Sequence, residues 1–232
     1  MTQRDLNGSR TLVLGGSGVL GGLIAGRLLE HGGTVMLAGR DRRRLHEQAT
    51  ALGSDVASVE FDLRQPDHAE HVVDTAVAGL GGLDGIVNAA GVVAFGPLED
   101  LDDAELDELV ATDLVGPLRV IRTAIPHLAG GFVVNISGVV AQHPTAGMTA
   151  YSAVKAGLSA ATLALGRELR RARIAVLDAR PPHTETGLAQ RPIAGTAPAM
   201  PPGLDPGFVA GIIVGGIESG ARELPPEAFV GP

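Results

Sequence analysis

The segment Gly15-Gly16-Ser17-Gly18-Val19-Leu20-Gly21-Gly22 constrains this chain more than any other. It follows a short apolar run over 11–14 and opens a stretch with helical spacing over 19–29. A strand, a glycine turn and a helix in that order place unpaired N–H groups and the positive end of a helix dipole at the turn. Gly15, Gly18 and Gly21 stand three apart, so the backbone turns tightly and a pyrophosphate can come close. The same glycines also suit a plain flexible turn. Their place between a first strand and a first helix favours phosphate binding.

The alternation continues along the chain. Apolar runs over 34–38, 56–61, 84–88, 132–136 and 174–179 read as strands. Helical spacing begins at Asp41, a good N-cap, and recurs over 66–80, 102–128, 149–171 and 205–219. The 102–128 helix is expected to bend near Gly116–Pro117. A final strand near Phe229-Val230 is expected to be short or absent. Strands apolar on both faces belong in a parallel sheet covered by helices on both sides. The expected fold class is therefore α/β, a Rossmann-like doubly wound parallel sheet in a single domain over 1–232, with a polar tail over 1–9. With 232 residues, 45% of them hydrophobic, one core of this size is feasible.

Composition excludes several function classes. There is no cysteine, so disulfides, thiolate catalysis and cysteine-held zinc are absent. A net charge of −8 argues against binding a nucleic-acid backbone. No run is long and apolar enough for a signal peptide or a membrane span, so a cytoplasmic location without membrane partners is expected.

The end of the second strand reads Ala38-Gly39-Arg40, with no acid to hold a ribose 2′-hydroxyl. A guanidinium there suits a 2′-phosphate, so NADP(H) is preferred over NAD(H), with Arg40 as its partner. Arg42, Arg43 and Arg44 either add field or form a solvated face, and at least two of the four arginines are expected on that face.

Tyr151 is the only tyrosine and Lys155 the only lysine. Four-residue spacing sets both on one helix face. A free phenol titrates near 10, roughly, which is too high for proton exchange at neutral pH. A neighbouring ammonium favours the phenolate and lowers that value. The pair then suits proton transfer to or from a substrate oxygen while hydride moves at a nicotinamide.

These motifs, with others, resemble the short-chain dehydrogenase/reductase family, from the glycine loop to about Gly220. The resemblance implies that Gly15, Ser17, Gly18, Val19 and Leu20 cradle the cofactor. It makes Asp62-Leu63 the adenine contact and lets Asn88-Ala89-Ala90-Gly91 support the sheet and line the cofactor. It assigns Tyr151-Ser-Ala-Val-Lys155 to catalysis. Pro181-Pro182-His183-Thr184-Glu185-Thr186 is similar to the family segment that holds the carboxamide, with Thr186 in that role and Pro181, His183 and Thr184 alongside. The resemblance also implies a homodimer or homotetramer through the two long helices.

Two catalytic positions depart from the family. Its serine, thirteen residues before the tyrosine, falls on Gly138, one residue after Ser137. Ser137 serves only if the loop adjusts; otherwise His143, Thr145 or Thr149 supplies the donor. Losing such a donor removes about two to three powers of ten in rate. Asp113 stands where the family has Asn; it accepts hydrogen bonds but cannot donate when ionised, and its charge holds Lys155 protonated. The geometry is expected to survive and the proton relay to change. Pro182 replaces a Gly and stiffens its loop.

Val92, Val93, Phe95 and Met148 are candidates for an apolar pocket wall, under a mobile lid over 186–206 rich in Pro and Gly in its 192–206 part. The reading reached is an NADP(H)-dependent oxidoreductase acting on a small carbonyl or secondary alcohol, with Tyr151, Lys155, Ser137 and Asp113 as its catalytic set. The alternatives are a catalytically impaired NADP-binding regulator, suggested by Gly138 and Asp113, and an epimerase or dehydratase, suggested by the glycine spacing.

Overall fold

Strands β1 (Arg10–Leu14), β2 (Thr34–Gly39), β3 (Ala57–Glu60), β4 (Gly85–Asn88), β5 (Phe132–Ile136), β6 (Ala175–Ala179) and β7 (Glu223–Leu224) form one parallel sheet. Their order is β3-β2-β1-β4-β5-β6-β7 in the computed structural model, which describes residues 3–53 and 56–230. The helices are α1 (Val19–Glu30), α2 (Arg42–Leu52), α3 (His68–Leu80), α4 (Asp103–Val110), α5 (Gly116–Ala124), α6 (Thr149–Glu168) and α7 (Pro206–Ser219).

Side chains alternate along each strand and feed two cores. Leu12, Leu14 and Val133 meet α3, α5 and the end of α6 on one face. Val13, Val87 and Val134 meet α1, α2 and α7 on the other. That double coverage explains why the central strands are mostly apolar and why Thr11, Asn88, Asn135 and Asp178 within them are buried. The expected doubly wound sheet is the observed one; the last strand is the two-residue β7, and near Phe229-Val230 there is a 3-10 turn over Pro226–Phe229 instead of a strand.

The 102–128 segment is not one bent helix. It divides into α4, a π-helical turn over Ala111–Val115, and α5. Pro117 has no N–H for the Asp113 carbonyl four residues back, and the Gly116 N–H reaches the Ala111 carbonyl instead. The irregularity therefore sits one turn before Gly116–Pro117 and contains Asp113.

Residues 3–9 are no free tail; the first two residues of the expected 1–9 tail lie outside the described ones. Leu6 is buried in the core, and the Arg4 N–H donates to the Glu218 carbonyl. β1 pairs with both β2 and β4, so chain direction around the sheet reverses there. A crevice opens outside the carboxyl ends of the strands at such a point.

Candidate active site

A cleft of about 640 Å³ occupies that crevice. Its floor is the loop between β1 and α1. Gly15 has φ +74°, and a Cβ on it would lie 2.6 Å from the Ala90 nitrogen. A Cβ on Gly21 would overlap the Gly15 carbonyl, so loop and helix close on each other only as glycines. Gly18 is the N-cap of α1 and carries no side chain to cap it; no acid stands in the first turn. The leading N–H groups and the dipole end thus face the cleft without a competing protein anion. The pocket fits the phosphate bridge of a dinucleotide.

Arg40 lies at the cleft edge, its side chain 57% exposed and 3.4 Å from Glu108. Arg44 also lines the cleft and donates to the Ser17 carbonyl at 3.2 Å. Arg42 and Arg43 are exposed, as expected for half of this cluster. An acid does stand nearby. Asp41 lines the cleft, but its carboxylate accepts the Arg44 N–H at 3.0 Å and caps α2. Asp62 also lines the cleft. Its carboxylate is gripped by Arg64, which, against the opposing effect of burial, holds it below the usual carboxylate range.

Tyr151 and Lys155 line the same cleft from the first two turns of α6. The ammonium lies 5.7 Å from the centre of the phenol ring. Lys155 donates to the Ile136 carbonyl at 3.1 Å and sits 3.3 Å from Asp113 Oδ2. The other Asp113 oxygen accepts the Val92 N–H at 2.8 Å, and the carboxylate is fully buried. Burial pulls the Lys155 value down, but the Asp113 charge overrides it and the ammonium is held above its ordinary value. The phenol differs from the sequence-based expectation. Burial raises its value, Lys155 opposes and Asp113 adds to the rise, so the net direction is upward.

Ser137 is fully buried, and its hydroxyl donates to Asp178 Oδ1 at 2.5 Å. Ser159 donates to the other Asp178 oxygen at 2.6 Å, and Arg180 approaches it at 3.4 Å. The Ser137 hydroxyl is thus committed to β6 rather than turned to a substrate. At Gly138, φ is +79° and there is no side chain. Ser137 and Gly138 lie along the cleft, whereas Asn88 does not line it. Its amide donates to Asn135, whose own amide donates to Thr162. Asn88 ties β4 to β5 and α6, while Ala89 and Ala90 line the cleft. Sequence reading missed Asp178, Asn135 and Arg180. The available signal was a carboxylate inside an apolar strand, which is rare without a partner.

Val92, Val93, Phe95 and Met148 form part of the apolar wall, with Leu188 and Met200 across from them. Pro181, His183, Thr184 and Thr186 line the cleft; the Thr184 hydroxyl donates to the Pro182 carbonyl. The 186–206 segment is irregular and is stitched down at both ends. The Ile193 N–H donates to the Val93 carbonyl, and the Gly203 N–H donates to Glu185 at 2.7 Å.

Fold and cleft together define the doubly wound α/β class whose sheet-end crevice receives a dinucleotide. The short chain dehydrogenase family model matches residues 9–195, and the chain is an oxidoreductase of the short-chain dehydrogenase/reductase family. It is 27% identical over 182 residues to an uncharacterised oxidoreductase of Staphylococcus epidermidis, covering 77% of this chain and 79% of that one. It superimposes with a TM-score of 0.86 on a short chain dehydrogenase from Burkholderia cenocepacia in complex with NADP, at 27% identity over 96% of this chain and 98% of that one. A 3-ketoacyl-(acyl-carrier-protein) reductase from Brucella melitensis complexed with NADH shares the fold. Its TM-score is 0.84 at 23% identity, over 95% of each chain. Among the described residues no helix is long and apolar enough to cross a membrane.

Proposed function

We propose that this chain moves hydride between NADP(H) and a carbonyl or secondary alcohol, with Tyr151 passing the proton. One observation carries the reading. A phenol and an ammonium one helical turn apart line the same cleft as a glycine loop that no side chain obstructs. Bound nicotinamide supplies or accepts the hydride; the chain supplies the rest. Gly15, Ser17, Gly18, Val19 and Leu20 hold the phosphates. Asp62 and Leu63 meet the adenine. Ala89, Ala90, Pro181, His183, Thr184 and Thr186 hold the nicotinamide end. Lys155 binds the ribose and orients Tyr151. Asp113 acts through Lys155. Ser137 fixes the loop rather than the substrate, so no serine hydroxyl joins Tyr151 at the substrate oxygen.

The preference for NADP(H) is supported by Arg40 and Arg44 and by the committed carboxylate of Asp41. The Burkholderia neighbour was crystallised with NADP and the Brucella one with NADH, so this choice rests on the arginines. The 186–206 segment is read as a lid over an apolar carbon skeleton. The two long helices are read as the faces of a homodimer or homotetramer, in a cytoplasmic protein.

A second reading draws on Gly138 and Ser137. With no free serine hydroxyl, the chain also suits a nicotinamide-binding regulator that turns over slowly or not at all. Absorbance loss of NADPH, then NADH, with a panel of aldehydes and ketones separates the two. Faster NADPH oxidation with at least one carbonyl is expected, and Arg44→Ala should weaken NADPH binding about tenfold without changing NADH binding. NADPH binding with no turnover favours the regulator. Turnover mainly with NADH overturns the arginine assignment.

A further inference from the structure

Tyr151 can meet a substrate as a phenol, which gives a proton, or as a phenolate, which takes one. The surroundings of Lys155 decide between them. Lys155 is the single lysine of the chain, buried, and its ammonium lies 3.3 Å from a fully buried carboxylate. Asp113 is itself pinned by the Val92 N–H, and the π-helical turn holds it in place; burial raises its value, and the Lys155 charge and the Val92 N–H work against that rise. The positive charge beside Tyr151 is thus opposed by a carboxylate 3.3 Å from it. Other charges do not replace it. Glu108 on α4 acts on Asp113 and Asp178 on β6 acts on Lys155, both negative. His183 and Arg191 line the cleft from the segment after β6: His183 is 3.4 Å from Glu185, and Arg191 is exposed and donates to the Gly187 carbonyl.

We propose that Asp113 is the fixed counter-ion of Lys155, that it keeps Tyr151 protonated, and that it thereby sets the site to reduce carbonyls rather than oxidise alcohols at neutral pH. This rests on the reading of Tyr151 as the proton-transfer group. In reduction the carbonyl carbon gains hydride from the reduced nicotinamide and the carbonyl oxygen gains the Tyr151 proton. The product is the alcohol, the nicotinamide is oxidised, and the phenolate recovers its proton from water. Oxidation needs the phenolate at the outset, and Asp113 works against it. Asp113 is a positioning residue: it reaches the reacting atoms only through Lys155. The upward direction for the Tyr151 phenol, set first by burial, includes a contribution from Asp113 against that of Lys155.

The chain has one tyrosine and no tryptophan, so near-ultraviolet tyrosinate absorbance reports Tyr151 alone, without cofactor or substrate. Circular dichroism run in parallel shows whether the protein is still folded. The wild-type phenol should stay protonated while folded up to at least the free value of about 10. Asp113→Asn keeps the acceptor for the Val92 N–H and removes the charge, so the midpoint should fall by about one pH unit or more. Asp113→Asn should also raise alcohol oxidation relative to carbonyl reduction at neutral pH by about tenfold. Tyrosinate formed in the folded wild type at or below about pH 9, or an unshifted midpoint in folded Asp113→Asn, overturns the proposal. The titrations need no turnover, so a failure of the oxidoreductase reading shows separately, as absence of carbonyl reduction by the wild type.

Discussion

The glycine-loop end of the cleft and the α6 wall are built from opposite materials. The loop end is backbone: glycines packed within the reach of a Cβ, a helix start without a side-chain cap, and no anion of its own. The wall is a set of buried side chains from several elements. Asp113 meets Lys155 and the Val92 N–H. Asp178 meets Ser137, Ser159 and Arg180. Asn88 meets Asn135, which meets Thr162. A backbone cradle suits the unvarying part of a ligand, because it admits few substitutions. A wall of paired side chains can be retuned one charge at a time.

The comparison can be broken first at the wall. Tyr151→Phe removes the proton path but leaves the phosphate cradle. Turnover should fall by about two to four powers of ten while NADPH affinity changes little, as read by steady-state kinetics and a binding titration. An equal loss of binding would mean that the two ends are not separate.

Behind the wall, Asp178→Ala strips the partner from two buried hydroxyls and one of two acidic neighbours from Arg180, which keeps Glu223. Urea unfolding should show a loss of about 3 kcal/mol. A change near zero would mean that the network is idle and that Ser137 is free to turn toward substrate.

The smallest effect on stability belongs to the loop end. Gly15→Ala forces φ +74° on a residue with a Cβ and presses it against Ala90. Unfolding should show a cost of about 1–2 kcal/mol. The larger consequence is lost NADPH affinity, because the loop must shift. Retained affinity would show that the cradle does not need its tight turn.

The same contrast explains what the amino-acid order revealed. The glycine loop, the alternating strands and the Tyr151–Lys155 turn are local patterns, so spacing alone exposes them. Asp41 as a helix cap was equally local, and the structure has it. The fate of Ser137 was not local. It depends on Asp178, forty-one residues on, and on a register that pairs Asn135 with Asp178 and Ile136 with Ala179. The resemblance groups Asn88 with Ala89 and Ala90 along the cofactor. The strand's alternation turns Asn88 into the sheet and leaves Ala89 and Ala90 at the cleft. The Tyr151 titration direction needed depth of burial as well as a neighbouring charge, and only the fold supplies that. The π turn follows from Pro117, but its place, one turn earlier, depends on which carbonyl lost its donor.

Hydride transfer itself is the central claim, and isotope labelling reads it without inference. Wild-type protein would be given NADPH deuterated at the transferable C4 position, with a ketone it consumes, and the alcohol analysed by mass spectrometry and NMR. The account predicts a single deuterium on the carbinol carbon, absent when Tyr151→Phe is used over the same time. Alcohol without that label, or no alcohol from any carbonyl despite bound NADPH, would contradict it.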